Sequence, residues 1–120
     1  PLENIDMDLV GKTNLEQIKP ILQHALVHID GEGGMVHLRH ALGGGRSVVL
    51  FGPTSSEFFG YSENENLVGG GCDVWCEWAL NKWQEGCLRG SYETPPCMAS
   101  ITPEMVMEAA DSIIREEVRA

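Results

Sequence analysis

The first half of the chain alternates short apolar runs with glycine-rich breaks. Leu26-Val27-His28-Ile29 is an apolar run suited to a buried strand. Gly31-Glu32-Gly33-Gly34 follows as a loop. Met35, Leu38 and Leu42 then recur at helical spacing, and Gly43-Gly44-Gly45 stops that helix. Ser47-Val48-Val49-Leu50-Phe51 is a second strand, left through Gly52-Pro53-Thr54. Strand, helix, strand with short connections is a βαβ unit with parallel strands. Both loops leaving those strands fall on one sheet edge, the edge where open α/β sheets bind ligands.

The flanking patterns extend this unit. Ile5-Asp6-Met7-Asp8-Leu9-Val10 reads as a strand ended by Gly11-Lys12. Thr13 and Glu16 fit a capping box, and Leu15, Ile18, Leu22 and Ala25 mark one helical face. Pro20 lies inside that face and is expected to kink or split the helix near Ile18. Residues 1–54 are therefore expected to form a βαβαβ core. Residues 55–71 are rich in Ser, Glu, Asn and Gly around Phe58, Phe59 and Tyr61, the pattern of a long loop pinned by aromatics. Leu67-Val68 is suited to a very short strand. Thr102-Pro103-Glu104 opens a last helix over residues 101–120, with Val106, Ala109, Ala110, Ile113 and Ile114 on its sheet-facing side. The fold class is α/β: a Rossmann-like partial parallel sheet, a cysteine-rich region within 55–100, and a C-terminal helix.

Charge narrows the partners. The 120 residues suffice for one domain with a core, and the formal net charge is −10. So negative a chain is a poor match for nucleic acid or an anionic membrane surface. A nucleotide remains compatible, because local N–H groups bind phosphate on an acidic protein. No stretch has the apolar length of a transmembrane helix or the pattern of a signal peptide, so a cytoplasmic protein is expected. The chain begins at Pro1 and is expected to be a piece of something longer.

Two groups of residues carry candidate chemistry. Gly33 and Gly34 have no β-carbon, so a ligand can approach the backbone at a helix start, where N–H groups and the helix dipole favour a diphosphate. Glu32 suits sugar or ribose hydroxyls, and His37 is placed to donate to a phosphate oxygen. A tight strand-to-helix turn with an exposed Glu and a packed His accounts for the same residues. The second group is Cys72, Cys76, Cys87 and Cys97, all the cysteines of the chain. Four thiolates in one segment can close a tetrahedral site around structural zinc or iron, and a segment with little periodic apolar pattern needs such a staple. Two disulfides and four free thiols are the alternatives, disulfides being disfavoured without a secretion signal.

Glu32-Gly33-Gly34-Met35-Val36-His37-Leu38 with Ala41-Leu42 resembles the Asn-Glu/Asp-Gly-Gly-Leu-x-His-Leu-x-x-Ala-Leu signature of family 9 glycosyltransferases, the ADP-heptose heptosyltransferases and their relatives. Val48–Thr54 resembles the following strand and Gly-Pro-Thr loop, and Leu9–Leu15 resembles the Leu-x-Gly-Lys-Thr-Ser-Leu segment before it. The cysteines and Cys97-Met98-x-x-Ile101-Thr102-Pro103-Glu104 resemble the tail of many members. Together these segments cover most of residues 5–115 in family order. Asp30-Gly31 and Arg39-His40 depart from the residues usual there.

The resemblance implies a GT-B enzyme of which this chain is the distal part of the C-terminal, donor-binding domain. It implies that Glu32 faces the donor, that Gly33, Gly34, Met35 and Val36 meet the diphosphate with His37 beside them, and that Thr54 lies near the sugar. The donor implied is a nucleotide-sugar, ADP-heptose above others, transferred with inversion. The acceptor would be lipopolysaccharide core or, as in the autotransporter heptosyltransferases that hold iron with four cysteines, a protein. Acceptor contacts and the catalytic base would lie upstream of Pro1, so this stretch alone is expected to be inactive; an oligomer is compatible with it. The alternative is a non-enzymatic Rossmann-like metal-binding or interaction domain. A nucleotide-sugar epimerase would need a Gly-x-Gly-x-x-Gly after the first strand, which Gly11-Lys12-Thr13 does not supply.

Overall fold

The computed structural model describes residues 3–72, 76, 85–87, 89 and 93–119. In chain order its elements are α1 (Leu15–His24), β1 (His28–Gly31), α2 (Gly34–Ala41), β2 (Ser47–Phe51), α3 (Ser56–Phe59), β3 (Glu65–Val68), α4 (Pro96–Ala99) and α5 (Pro103–Arg119). The three strands form a parallel sheet in the order β1-β2-β3. The βαβ unit expected from the glycine breaks is present, and the short strand expected at Leu67-Val68 starts two residues earlier.

β2 is central, and its alternation builds two cores. Val48 faces Ala109, Ala110 and Ile113 of α5, with Leu50, Leu67 and Val106 packed around them. Val49 and Phe51 face the other way, toward Val36 of α2, with Phe59 and Tyr61 alongside. A strand buried on both faces needs apolar residues at consecutive positions, and Val48-Val49-Leu50-Phe51 supplies them. Thr102 caps α5 as expected, its Oγ1 accepting from Met105 N–H at 3.2 Å.

Three expectations are corrected. Residues 5–10 do not form a strand: Ile5, Met7 and Val10 are exposed, and Asp8 Oδ1 accepts from Val10 N–H at 2.9 Å. That Asx turn competes with extension, so the core before Thr54 is α1-β1-α2-β2 rather than βαβαβ. The cap of α1 is Asn14 with Gln17, not Thr13 with Glu16; both reciprocal bonds are present, at 2.9 and 3.0 Å. Asn is the stronger N-cap, and it moves the helix start by one residue. α1 also runs through Pro20 without dividing. Pro20 is exposed, so water can reach the carbonyl that lacks its helical donor.

The buried face of α2 also differs from the apolar spacing. Met35 is 39% exposed, whereas Val36 and Arg39 are buried. Arg39 donates from Nη1 to the Leu22 carbonyl, from Nη2 to those of Ala25 and Arg46 at 3.0 Å each, and from Nε to Gly45 at 3.3 Å. A buried guanidinium is tolerated when its donors are used this fully. It ties the end of α1 to the turn between α2 and β2.

Candidate functional site: the carboxyl edge of the sheet

The two loops singled out by sequence leave adjacent strands. Gly31 lies opposite Leu50, and Glu32 N–H extends the ladder by donating to the Leu50 carbonyl at 3.0 Å. Residues 32–33 and 52–54 therefore emerge side by side. α2 begins at Gly34, and no side chain caps it. Its first N–H groups are thus left for solvent or a ligand, and the helix dipole favours an anion there. A β-carbon at Gly33 or Gly34 would meet nothing within 4 Å. Gly33 is extended, with φ 169°, a conformation any residue adopts. Neither the fold nor the backbone conformation requires glycine at these positions; close approach from outside would.

Glu32 and His37 come together across the turn. His37 Nε2 is 3.0 Å from Glu32 Oε1, and His37 Nδ1 is 2.7 Å from the Tyr61 hydroxyl. An ionised carboxylate only accepts, so Nε2 carries the proton and donates to Glu32. Both ring nitrogens are then engaged within the protein. His37 thus stands against Glu32 on one side and Tyr61 on the other. Oε2 of Glu32 accepts no hydrogen bond among the described residues, which leaves it for a hydroxyl.

Thr54 gives a different signal. It is 9% exposed, and its Oγ1 is buried with no hydrogen-bond partner among the described residues. Unsatisfied buried hydroxyls are uncommon and costly, and this one lies in the loop that leaves β2, next to the exit of β1. Val36 belongs to the core beneath the loop, so only its backbone remains for a ligand.

Two of the cysteines sit further along the same edge. Cys72 follows β3, and Cys97 lies in α4, which packs against β2. Glycines make room for that turn: a β-carbon at Gly52 would stand 2.7 Å from Met98 Sδ, and one at Gly69 or Gly71 would strike Cys97 or Pro96 carbonyls. Cys72, Cys76, Cys87 and Cys97 are partly buried free thiols. Burial pushes the Cys97 thiol above its ordinary value, and the other three sulfurs are near enough to push it further, against a backbone hydrogen bond from Met98. Yet among the described residues no three His, Cys, Asp or Glu side chains stand at metal-holding distance. The four-sulfur centre expected from the sequence is thus not seen among the described residues. Four thiols are a donor set of the kind that suits zinc or iron. The rest of residues 73–84 lies outside the described residues.

Sequence reasoning missed Tyr61 as a partner of His37 and Arg39 as a buried tie. Tyr61 lies 24 positions from His37, beyond any local spacing rule. Arg39 carries a polar signal at a buried position, and only the carbonyls around it explain its place.

A three-stranded parallel sheet flanked by helices is consistent with a fragment of a Rossmann-like fold. The family model of glycosyltransferase family 9 (heptosyltransferase) matches residues 1–87, and the chain belongs to that family. Membership implies glycosyl transfer as the family-level activity. The matched span includes Glu32, His37, Thr54, Cys72, Cys76 and Cys87, and ends before Cys97 and α5. No curated protein and no solved structure matches the chain. No helix among the described residues is long and apolar enough to cross a membrane.

Proposed function

We propose that this chain is the donor-binding part of an inverting glycosyltransferase that uses a nucleotide-sugar, with ADP-heptose the best candidate. The diphosphate lies at the N-terminus of α2 over Gly33 and Gly34, against the N–H groups of residues 34–36. Glu32, held by His37, accepts hydroxyls of the ribose or sugar, and Thr54 donates to the ligand from the neighbouring loop. As an acceptor hydroxyl attacks the anomeric carbon, charge builds on the departing diphosphate, where a preorganised helix terminus stabilises it. The acceptor, on lipopolysaccharide core or a protein, and the base that activates it are contributed by residues outside this stretch. The cysteines would hold a structural metal and take no part in transfer.

The observation that carries this reading is the unpartnered Thr54 hydroxyl beside the uncapped α2 terminus, on adjacent strand exits. Gly34→Ala tests it. The new methyl meets nothing in the protein and improves helix propensity, so thermal stability is expected to hold or rise. Affinity for ADP and for an ADP-sugar, measured by titration calorimetry, is expected to fall about tenfold or more as the methyl fills the approach to the backbone. Equal affinity in both proteins removes the diphosphate from this loop.

A further inference from the structure

We propose that Tyr61 is a positioning residue of the donor site, setting the His37 ring that in turn aims the Glu32 carboxylate. The proposal rests on the reading of Glu32 as a donor contact. Glu32 fixes the proton of His37 on Nε2, as argued above. Nδ1 of the neutral ring is then an acceptor, and the Tyr61 hydroxyl at 2.7 Å is placed to donate to it. A hydroxyl both donates and accepts, so Tyr61 serves His37 in the imidazolium form as well. Phenylalanine would leave Nδ1 without this partner and the ring free to rotate away from Glu32.

Tyr61 is itself held on every side. Its ring lies edge-on to His37, with centroids 5.4 Å apart, and stacks on His40 at 3.7 Å and 12°. His40 Nδ1 is in turn paired with Glu63 Oε1. The Tyr61 carbonyl accepts from Asn64 N–H at 3.1 Å and from Asn66 Nδ2 at 2.9 Å. The ring also packs against the core of Val36, Val49 and Phe51. A side chain fixed this fully can fix another, and the precision of a binding group depends on such supporting contacts. The stretch of the β2–β3 crossover beyond Thr54 thereby becomes part of the donor site, although residues 55–64 carry no recognisable donor motif.

The test uses the whole chain, with ADP and an ADP-sugar as probes, and Tyr61→Phe, which keeps the stacked ring and so the fold. Nitrogen-15 spectra of the ligand-free protein report the His37 ring directly. In the wild type they are expected to show Nε2–H with a hydrogen-bonded Nδ1, and in Tyr61→Phe the Nδ1 signal is expected to move. ADP-sugar affinity is expected to fall about three- to tenfold in Tyr61→Phe. In a Glu32→Ala background the same substitution is expected to change nothing further, because Tyr61 acts through that carboxylate. Unmoved His37 signals, or an equal loss with and without Glu32, would overturn the assignment. Failure of the wild type to bind either probe would overturn the donor reading itself, whereas normal wild-type binding unaffected by Tyr61→Phe would overturn Tyr61 alone.

Discussion

Replacing Thr54 by valine is expected to move stability and donor affinity in opposite directions. Thr54 is 9% exposed and its Oγ1 has no partner among the described residues, so the folded, ligand-free protein carries an unsatisfied hydroxyl. Such a group costs roughly 1–3 kcal/mol in proteins. Valine fills nearly the same volume without the hydroxyl. At the lower end of that range it stabilises the free protein by about 1 kcal/mol, which for a chain of this size raises Tm by roughly 3–5 °C. If the hydroxyl serves the donor, the variant loses one neutral hydrogen bond in the complex, about 0.5–1.5 kcal/mol, or roughly two- to tenfold in Kd. Differential scanning calorimetry reads the first effect and titration calorimetry with ADP and an ADP-sugar reads the second. A variant that melts lower than the wild type contradicts the orphan hydroxyl. A variant that melts higher but binds equally well keeps the orphan and removes it from the donor site.

Three further outcomes are expected. Arg39→Met strips four backbone carbonyls of their shared donor and should destabilise the chain by roughly 3–5 kcal/mol in urea unfolding, a large part of the roughly 5–15 kcal/mol typical of a domain; a shift below about 0.5 kcal/mol would show that water replaces the guanidinium without loss. Burial lowers the native pKa of His28 below 6.5, outweighing the attraction of nearby Asp30, while Arg39 lowers it further and Ser47 Oγ lies 3.2 Å from Nδ1. The unfolded chain then binds the proton more readily, so this contribution to stability is complete above about pH 6.5 and is lost as pH falls through the native value; His28→Gln should flatten that slope in urea midpoints measured across the window, and an unchanged slope would exclude His28 as its source. Protein purified without added metal should carry one zinc or iron per chain, bound by Cys72, Cys76, Cys87 and Cys97 at about 2.3 Å, and lose it on any Cys→Ser change; negligible metal with four freely titrating thiols would leave the cysteines without that role.

What the sequence made legible follows from the range of each force. The β1-α2-β2 unit was readable because apolar runs and glycine stops are local, and β2 had to be apolar on both faces. The last helix was readable for the same reason, down to its Thr102 cap. The Asp8 turn and the Asn14 cap are not legible, because one local side-chain bond replaces an extended strand at Asp8 and the capping box forms one residue later than Thr13 at Asn14. Within the site, Glu32 and the glycines carried a visible pattern, but the meeting of His37 with Tyr61 did not, since it depends on a crossover 24 residues away. The orphan state of Thr54 has no sequence signature at all. It exists only once neighbouring chain has enclosed the hydroxyl and offered it nothing.

The glycines of the carboxyl edge fall into two kinds, and a library of variants would separate them. At Gly52, Gly69 and Gly71 a side chain collides with the Cys97-bearing turn, so substitutions there should disappear from any selection for folded protein. At Gly31, Gly33 and Gly34 a β-carbon meets open space, so substitutions should survive that selection. Under selection for donor capture, Gly33 and Gly34 should become as intolerant as the first three. One pool sorted twice would thus separate the glycines that seat the cysteine turn from any that a ligand needs bare.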